Sequence, residues 1–334
     1  YIFFFNRIEL LLISVKNYLM DWKKLISIKH LRTLNAISEA GSLANAANLL
    51  NLSPPAITIQ LNQLEEYLNV KILERGPNGF IKISNVGYEL LKLHKQIDNQ
   101  ISRSFQRIEQ LKIGKTGYVK LGAVTTAQYF CPWIIAKAQN EFPDLLIDLV
   151  IGNRNEIIKS LREGNVDLAI TGRPPIVPKV KAEILGDNPH IIITKKDHKI
   201  LKSLQNYKTL KNEQIYKILS KETFLVREEG SGTRILLERF LDTIGKGRQY
   251  DKKEFSSNEA IKQGVLAGLG IAMISASTAL NELNEGNIKA INLANLPIIR
   301  QWFLINLQET NLDPDVLMFK KFLLENKIEL MPIK

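Results

Sequence analysis

Residues Ser42 to Leu61 read SLANAANLLNLSPPAITIQL, and this stretch carries the signals of two short helices joined by a turn. Ser42 is a favourable N-cap for the first helix, whose alanines permit close packing against a neighbour. A turn at Asn51–Leu52 leads to a second N-cap, Ser53, and then to Pro54 at the first helical position, where a missing N–H costs nothing. The pattern predicts a helix-turn-helix over residues 42–61.

The flanking segments extend this unit on both sides. Apolar residues at helical spacing begin near Ile28 and stop at Gly41, a typical helix C-cap residue. After the helix-turn-helix, two short apolar runs enclose Gly76-Pro77-Asn78-Gly79, and Asn-Gly between such runs is a strong signal for a β-hairpin. We therefore predict a winged helix-turn-helix domain over residues 28–85, in which the hairpin is the wing.

A long helix follows over residues 86–116. Apolar residues recur every three or four positions without an intervening Pro or Gly, which is typical of a coiled-coil-like seam. The seam consists of Leu93, Ile97, Ile101, Ile108 and Leu111. Because an apolar stripe is costly to leave in water, we expect it to pair with a second copy of the chain. Packing against its own domain is the alternative.

Beyond Gly117 the sequence alternates between strand-like and helix-like segments, which predicts an α/β domain over residues 117–334 with a parallel sheet. We expect two lobes, with the chain crossing near Pro178 and returning near Ile291. The first lobe would then hold residues 117–178 and 292–334, and the second residues 179–291. A cleft between two such lobes is a usual place for a ligand.

Charge and cysteine content narrow the class of protein. The chain of 334 residues has 45 Lys and Arg against 34 Asp and Glu, a net charge of +11, which favours nucleic acid or an anionic metabolite as partner. Its single cysteine, Cys131, excludes an intramolecular disulfide. Residues 1–27 lack the uninterrupted apolar run of a membrane helix and the cleavage site of a signal peptide. We interpret them as an extension outside the fold and expect no membrane partner.

The segment Leu31–Gly87 resembles the DNA-binding region of LysR-type transcriptional regulators. The resemblance rests on the spacing of Ala46-Ala47, Ser53-x-Pro55-Ala56, Leu64-Glu65, Leu73-x-Arg75 and Gly87. It continues into a two-lobed domain similar to type 2 periplasmic binding proteins. Within that domain Thr125-Thr126, Gly152-Asn153 and Glu229–Arg234 look like the Calvin-cycle (RuBisCO-operon) regulators.

The resemblance implies a homodimeric or homotetrameric regulator that binds double-stranded promoter DNA and responds to a small effector. Richness in Ile, Asn and Lys is typical of an AT-rich genome, such as that of an algal plastid. The expected location is then the plastid stroma, and otherwise the bacterial cytoplasm.

The second helix of the helix-turn-helix is the expected reading helix. On a helical wheel Ile57, Leu61 and Leu64 share a buried face, whereas Pro55, Ile59 and Asn62 lie opposite and Thr58 lies at the edge. The resemblance assigns DNA contacts to Pro54, Pro55, Thr58 and Ile59, although Gln is common at the first of these positions and Arg at the last. The predicted contact set is Ser53, Pro54, Pro55, Thr58, Ile59 and Asn62.

Specific contacts and phosphate contacts are expected from different residues. Asn62 could contact adenine and Ile59 a thymine methyl group, unless these side chains simply face solvent. Phosphate contacts are expected from Arg32, Lys71, Arg75 and Lys82. For each of these four, a solvated surface charge remains the alternative.

Three glycine- or threonine-containing turns are candidates for an effector site. They contain Thr125 and Thr126; Gly172 and Arg173; and Ser231, Gly232, Thr233 and Arg234, with Asn153 as a further candidate. Helix N-termini and glycine turns expose N–H groups to an anion, and Arg173 or Arg234 could add charge-assisted hydrogen bonds. We therefore expect a small anionic metabolite, such as a sugar phosphate, NADPH or an organic acid. Ordinary helix capping is the alternative for Thr125, Thr126 and Asn153.

Catalysis is not expected. The four histidines show no metal-ligand spacing, and neither a P-loop nor a G-x-S-x-G motif is present in the sequence. Cys131 lies in an apolar segment, which favours a buried, inert thiol. We expect no cofactor and no metal. A solute-binding protein for transport shares the two-lobed fold, but its function does not require a helix-turn-helix, so this class of protein is disfavoured.

Overall fold

The computed structural model describes residues 26–75, 81–112, 114, 117–205 and 207–330. These residues form two compact units, the first ending at Ser104 and the second beginning at Phe105. Most of the predicted extension, residues 1–25, lies outside the described part of the chain. No helix among the described residues is long and apolar enough to span a membrane.

The first unit contains the three predicted helices, α1 (Ile28–Ala40), α2 (Leu43–Leu50) and α3 (Pro54–Leu68). α1 ends at Gly41, whose φ of 70° requires the left-handed region that glycine adopts without strain. The Ser42 side chain caps α2 by accepting a hydrogen bond from the Asn45 N–H at 3.1 Å. Ser53 occupies the N-cap of α3 as predicted, but its side chain makes no capping hydrogen bond.

Two short strands, β1 (Leu73–Arg75) and β2 (Ile81–Ile83), pair antiparallel as the predicted wing. The turn between them, residues 76–80, lies outside the described residues. The Glu65 carboxylate accepts hydrogen bonds from the N–H groups of Ile72 and Leu73 at 2.8 and 3.3 Å, and so ties α3 to the start of the wing. The long helix α4 then runs from Asn85 to Lys112.

The second unit is built around a seven-stranded sheet. Its strands are β3 (Gly117–Val124), β4 (Leu145–Gly152), β5 (Leu168–Thr171), β6 (Val180–Lys195), β9 (Ala272–Ser275), β10 (Ile288–Ala290) and β11 (Ile298–Leu307). The order is β10-β6-β11-β5-β3-β4, with β9 also paired to β6. A separate parallel pair joins β7 (Phe224–Arg227) to β8 (Lys252–Phe255).

The prediction of a parallel sheet is only partly correct. β3 pairs parallel with β4 and β5, but β11 is antiparallel to both β5 and β6, and β9 and β10 are antiparallel to β6. The sequence pattern indicated only the end of β6, near Ile191–Thr194, because its first half is largely exposed and lacks an apolar run. That half pairs with β11, which returns from far along the chain and inserts between β5 and β6.

Helices cover this sheet and build the second lobe. They are α5 (Cys131–Glu141), α6 (Arg154–Arg162), α7 (Ile200–Ser203), α8 (Asn212–Leu219), α9 (Gly232–Gly245), α10 (Asn258–Leu266), α11 (Leu280–Asn284), α12 (Pro314–Glu325) and α13 (Lys327–Leu330). Two short 3₁₀ turns lie at Tyr207–Thr209 and Ala276–Ala279.

The second unit has two main hydrophobic cores. One surrounds Trp302 and Phe130, and the other surrounds Phe224 and Leu237. The long strand β6 serves both, because Leu185 packs in the first core and Ile192 in the second. The predicted crossing near Pro178 precedes this strand, and the lobe limits at residues 178 and 291 stay predictions.

Candidate DNA-binding surface and effector cavity

α3 presents one buried and one exposed face. Ile57 and Leu64 are fully buried and Leu61 nearly so. Pro55, Thr58, Ile59 and Asn62 are exposed on the other side, as the helical wheel indicated. The Thr58 hydroxyl donates to the Pro54 carbonyl at 3.1 Å, so its proton is used within the helix and its oxygen lone pairs remain for a DNA contact.

A buried polar contact that was not predicted fixes α3 in place. The Thr33 hydroxyl of α1 donates to Gln60 Oε1 at 2.5 Å, and both side chains are buried. A buried hydrogen bond is specific in direction, and each group is expensive to leave unpaired. Gln60 is a polar residue on the apolar face of the helical wheel, and this is the one sequence signal that could have identified it.

The predicted phosphate-contact residues are mostly accessible. Arg32, Lys71 and Lys82 are exposed, whereas the side chain of Arg75 is not among those described. Lys71 forms an ion pair of 2.5 Å with Glu65. Burial raises the pKa of the Glu65 carboxyl, but the contact with Lys71 and the hydrogen bonds from the Ile72 and Leu73 N–H groups outweigh it, so the pKa is lowered. The DNA-contact set as a whole stays a prediction.

A cavity of about 620 Å³ lies in the second unit where strand ends and helix starts converge. Eight of the nine predicted effector residues line it, namely Thr125, Thr126, Asn153, Gly172, Arg173, Ser231, Gly232 and Thr233. They come from the segment after β3, the start of α6, the loop after β5 and the start of α9. Their role in ligand binding stays a prediction.

Arg234, the ninth, does not line the cavity. Its guanidinium pairs with Glu238 at 3.1 Å and Glu254 at 2.7 Å, and it donates to the Arg227 carbonyl. The two carboxylates raise the pKa of Arg234. Arg234 is the third residue of α9 and lies on the helix face opposite to the cavity, so its side chain faces β8. Which face of α9 lines the cavity depends on how the helix is rotated about its axis.

Sequence reasoning missed Arg227, the cationic residue at the end of β7. Its side chain is buried and forms two hydrogen bonds with Glu228, at 2.7 and 2.8 Å. It also donates to Asn258 at 2.9 Å and to Thr125 at 3.4 Å, so it joins residues that belong to the two lobes. A charged residue directly after the apolar run Phe-Leu-Val is the signal that could have found it.

The cavity is strongly basic. Seven of its lining residues are Arg or Lys, namely Arg154, Lys159, Arg162, Arg173, Arg227, Arg239 and Arg300, and a single one, Glu228, is acidic. Burial lowers the pKa of Arg154, and the positive charge of Arg173 lowers it further. A site in which cations disfavour each other in this way is suited to an anion.

The floor of the cavity supplies neutral hydrogen-bonding groups. Asn188 is buried, and its carbonyl oxygen accepts from the Ser275 hydroxyl at 2.7 Å. His190 lies nearby, and burial lowers its pKa to about 4, so the imidazole is neutral at pH 7. At the start of α9 the Ser231 side chain makes no capping hydrogen bond, which leaves first-turn N–H groups for a ligand.

Two groups that could serve other chemistry, Cys131 and His198, are buried or largely buried. Cys131 is buried, and burial raises the pKa of its thiol to about 12, as expected of an inert cysteine. His198, interpreted from its polar neighbours as a surface residue, is instead largely buried and lies 3.5 Å from Glu222. Among the residues that the structure describes, no cluster of three or more metal-ligating side chains is found.

Comparison with protein families matches both parts of the chain. Residues 28–87 match the family described as "Bacterial regulatory helix-turn-helix protein, lysR family", and residues 112–327 match "LysR substrate binding domain". The chain is a member of the LysR family. The resemblance seen in the sequence is confirmed, as is the fold class of a winged helix-turn-helix joined to a two-lobed effector domain.

Individual LysR relatives are similar over most of this chain. The regulator CbbR of Xanthobacter flavus is 36% identical over 288 residues, which are 86% of this chain and 84% of that protein. The RuBisCO operon transcriptional regulator of Allochromatium vinosum is 30% identical over 299 residues, 90% of this chain and 96% of that protein.

A solved structure of a regulatory domain is also similar to this chain. The regulatory domain of CcmR from Synechocystis PCC6803, in complex with 2-PG, is 27% identical to this chain, with a TM-score of 0.55. The match covers 64% of this chain and 98% of that domain.

Proposed function

We propose that this LysR-family chain is a sequence-specific DNA-binding transcriptional regulator of RuBisCO and other Calvin-cycle genes, whose activity is set by a small anionic metabolite. The observation that carries the effector part is the cavity with seven Arg and Lys residues against one Glu. The gene target is supported by the names of relatives at 30–36% identity. The ligand in the CcmR complex, 2-PG (2-phosphoglycolate), is a small anion, and this supports the effector class.

The effector is held, in this proposal, by the cavity residues predicted from the sequence together with Arg227. Backbone N–H groups at Gly230–Thr233 and the Thr125 and Thr126 hydroxyls would bind the anion, and Arg173 would neutralise it. Sugar phosphates, NADPH and organic acids all present the required charge. A metabolite of this kind changes DNA binding only if it favours one arrangement of the protein over another.

The DNA part of the proposal assigns base contacts to the exposed face of α3 and phosphate contacts to Arg32, Lys71, Arg75 and Lys82. The chain acts as a homodimer or homotetramer, joined through the apolar seam of α4. A role in catalysis is not proposed, because the relatives are transcriptional regulators. A plastid setting is supported by composition alone, whereas the relatives from Xanthobacter flavus and Allochromatium vinosum are bacterial.

The test is a gel-shift assay with the full-length chain on DNA from upstream of the RuBisCO genes, with and without 2-phosphoglycolate. We expect specific binding that survives excess unrelated DNA, and a changed affinity or mobility of the complex when the metabolite is present. Binding to every DNA alike would contradict the regulatory assignment. Calorimetry without heat for 2-phosphoglycolate, sugar phosphates, NADPH and organic acids would contradict the effector class.

A further inference from the structure

The net positive charge of residues 117–334 comes from one segment, residues 195–221. This segment holds eight lysines against two acidic residues, Asp197 and Glu213, a net charge of +6. Residues 117–334 as a whole carry 30 Lys and Arg against 25 Asp and Glu, a net charge of +5. Everything in this range outside the segment therefore has a net charge of −1, and the excess of cations has a defined place in the second unit.

The fold arranges this segment around a shared core and leaves its lysines outside. α7 and α8 both pack into the core around Phe224, with Ile200 and Leu204 from the first helix and its C-terminal turn, and Ile215 and Leu219 from the second. The contact of 3.5 Å between His198 and Glu222 joins the start of α7 to the turn after α8. The exposed lysines of the segment, called the lysine surface, are Lys196, Lys199, Lys202, Lys208, Lys211, Lys217 and Lys221.

The lysine surface has no counter-charges of its own. None of its seven lysines forms an ion pair with another residue that the structure describes, whereas Lys262 of the same unit pairs with both Glu259 and Glu282. Glu213, the acidic residue within α8, pairs instead with Arg248 at 3.4 Å. Cations gathered on one surface without acidic partners repel each other and attract a polyanion.

The composition of the lysine surface is typical of a contact with DNA and not of an interface with protein. Protein interfaces contain aromatic and aliphatic side chains at their centre and are depleted in Lys, whereas interfaces with DNA are polar and positively charged. Among the described side chains of residues 195–221, no large apolar one is exposed. A DNA duplex carries one negative charge per ~1.7 Å of its axis, so it can match several lysines on one short surface.

We propose that the lysine surface is a second DNA contact, which binds the phosphates of duplex outside the site that α3 reads. This inference rests on the DNA-binding part of the proposed function, because DNA held by the first unit is present at a high effective concentration for the second. Contacts with phosphate carry no sequence information, so the lysine surface adds affinity and lengthens the bound DNA without adding specificity.

The experiment compares two duplexes that contain the same site, using the full-length chain in binding titrations at several salt concentrations. The short duplex is the shortest one that retains specific binding. The long duplex adds about 30 base pairs of unrelated sequence on each side, roughly 100 Å. The test variant removes four charges from the lysine surface and is Lys196→Gln/Lys199→Gln/Lys202→Gln/Lys208→Gln.

A matched control removes the same number of charges from exposed lysines of the second unit outside the segment. It is Lys179→Gln/Lys181→Gln/Lys253→Gln/Lys327→Gln. On the long duplex we expect the test variant to bind at least fivefold more weakly than the control, with a log–log salt slope whose magnitude is lower by about two or more, since each phosphate contact contributes about 0.9. On the short duplex the two variants should bind within twofold of each other, which also shows that the test variant is folded.

Equal Kd values and equal salt slopes of the two variants on the long duplex overturn the inference and leave the proposed function standing. An equal loss by the test variant on both duplexes overturns it too, because these lysines would then act within the site itself. Unchanged DNA binding with reduced transcription in a reconstituted assay would assign the lysine surface to an acidic protein instead. Failure of the wild-type chain to prefer its site over unrelated DNA contradicts the proposed function itself.

Discussion

His190 is a buried, neutral group in a cavity otherwise dominated by cations. Burial is the main cause of its lowered pKa, the positive charge of Arg300 lowers it further, and a hydrogen bond to the Asn188 carbonyl opposes both. At physiological pH the ring therefore offers hydrogen bonds without charge. The positive charge that lines the cavity comes from its arginines and Lys159.

This lowered pKa predicts a pH dependence of stability. Because the folded pKa of about 4 is below the unfolded value of 6.5, the unfolded chain binds the proton more readily. The contribution of His190 to stability is complete above pH 6.5 and falls as the pH drops toward 4, by about 3 kcal/mol at most. Urea unfolding at a series of pH values measures it.

The matched variant for this test is His190→Gln, which keeps hydrogen-bonding capacity and removes the titrating group. Comparing the two proteins at each pH cancels the carboxylates, which titrate in both. The difference between wild type and variant should change with pH between 6.5 and 4 and stay constant above pH 7. A difference that is flat throughout would mean that His190 is not shielded from water.

At the level of elements, the residues proposed to read bases and those proposed to bind phosphate lie on different elements. The helix α3 contains no Lys or Arg, so its exposed Ile59 and Asn62 can supply specificity but little electrostatic affinity. The cations lie on neighbouring elements, as Lys82 does on β2.

Two substitutions should therefore have different effects on DNA binding. Asn62→Ala should reduce the preference for the target over unrelated DNA by about 1–3 kcal/mol and leave the salt dependence unchanged. Lys82→Ala should weaken binding to all sequences and lower the magnitude of the log–log salt slope by about one. Titrations at several salt concentrations on specific and unrelated duplexes distinguish these outcomes, and identical effects of the two variants would contradict the assignment.

The helix α4 carries a prediction about assembly. Its seam residues Ile97 and Ile101 are partly buried, whereas the seam residue Ile108 is 47% exposed in the single chain, and Phe105 on the same helix is 63% exposed. Ile108→Glu places a charge in the seam and should weaken self-association at least tenfold, as measured by sedimentation at micromolar concentration. Gln100→Glu, an exposed position on the same helix, is the control and should associate like the wild type.

A wild-type chain that sediments as a monomer would show that the seam does not pair with a second copy. Equal weakening by both variants would indicate general charge repulsion instead of a specific seam.

At the level of the whole second unit, two polar contacts connect the lobes beside the cavity. Arg227 bonds to Thr125, and the Tyr129 hydroxyl donates to Glu259 at 2.6 Å. Lys262 pairs with Glu259 at 3.0 Å and lies 5.0 Å from the centre of the Tyr129 ring. This contact between Tyr129 and Glu259 joins the segment after β3 to the start of α10.

Removing that contact should weaken ligand binding without removing a cavity residue. Tyr129→Phe loses one hydrogen bond to a charged group, about 1.5 kcal/mol, and should raise the Kd of 2-phosphoglycolate by up to about tenfold. Tyr216→Phe is the control, since its hydroxyl donates to the Gln249 carbonyl within the second lobe. Calorimetry that gives equal Kd values for both variants would mean that the contact does not influence the bound arrangement.

Prediction from sequence succeeded where the signals are local. The helices of the first unit begin and end at residues whose own chemistry sets the boundary, namely Gly41, Ser42 and Pro54. The two strands of the wing pair on either side of the Asn78-Gly79 signal in the sequence. Eight of the nine predicted effector residues line the cavity, because glycine and threonine turns after strands mark where an α/β sheet can open.

The tertiary structure settled what depends on residues far apart in the chain. Pairing of β6 with β11 makes the sheet mixed, and neither strand contains a signal for its partner. Arg234 faces away from the cavity while Arg162 and Arg239 face into it, because the rotation of a helix about its axis follows from packing across the whole lobe. The local sequence therefore sets where helices begin and turns occur, and long-range packing sets which charges meet.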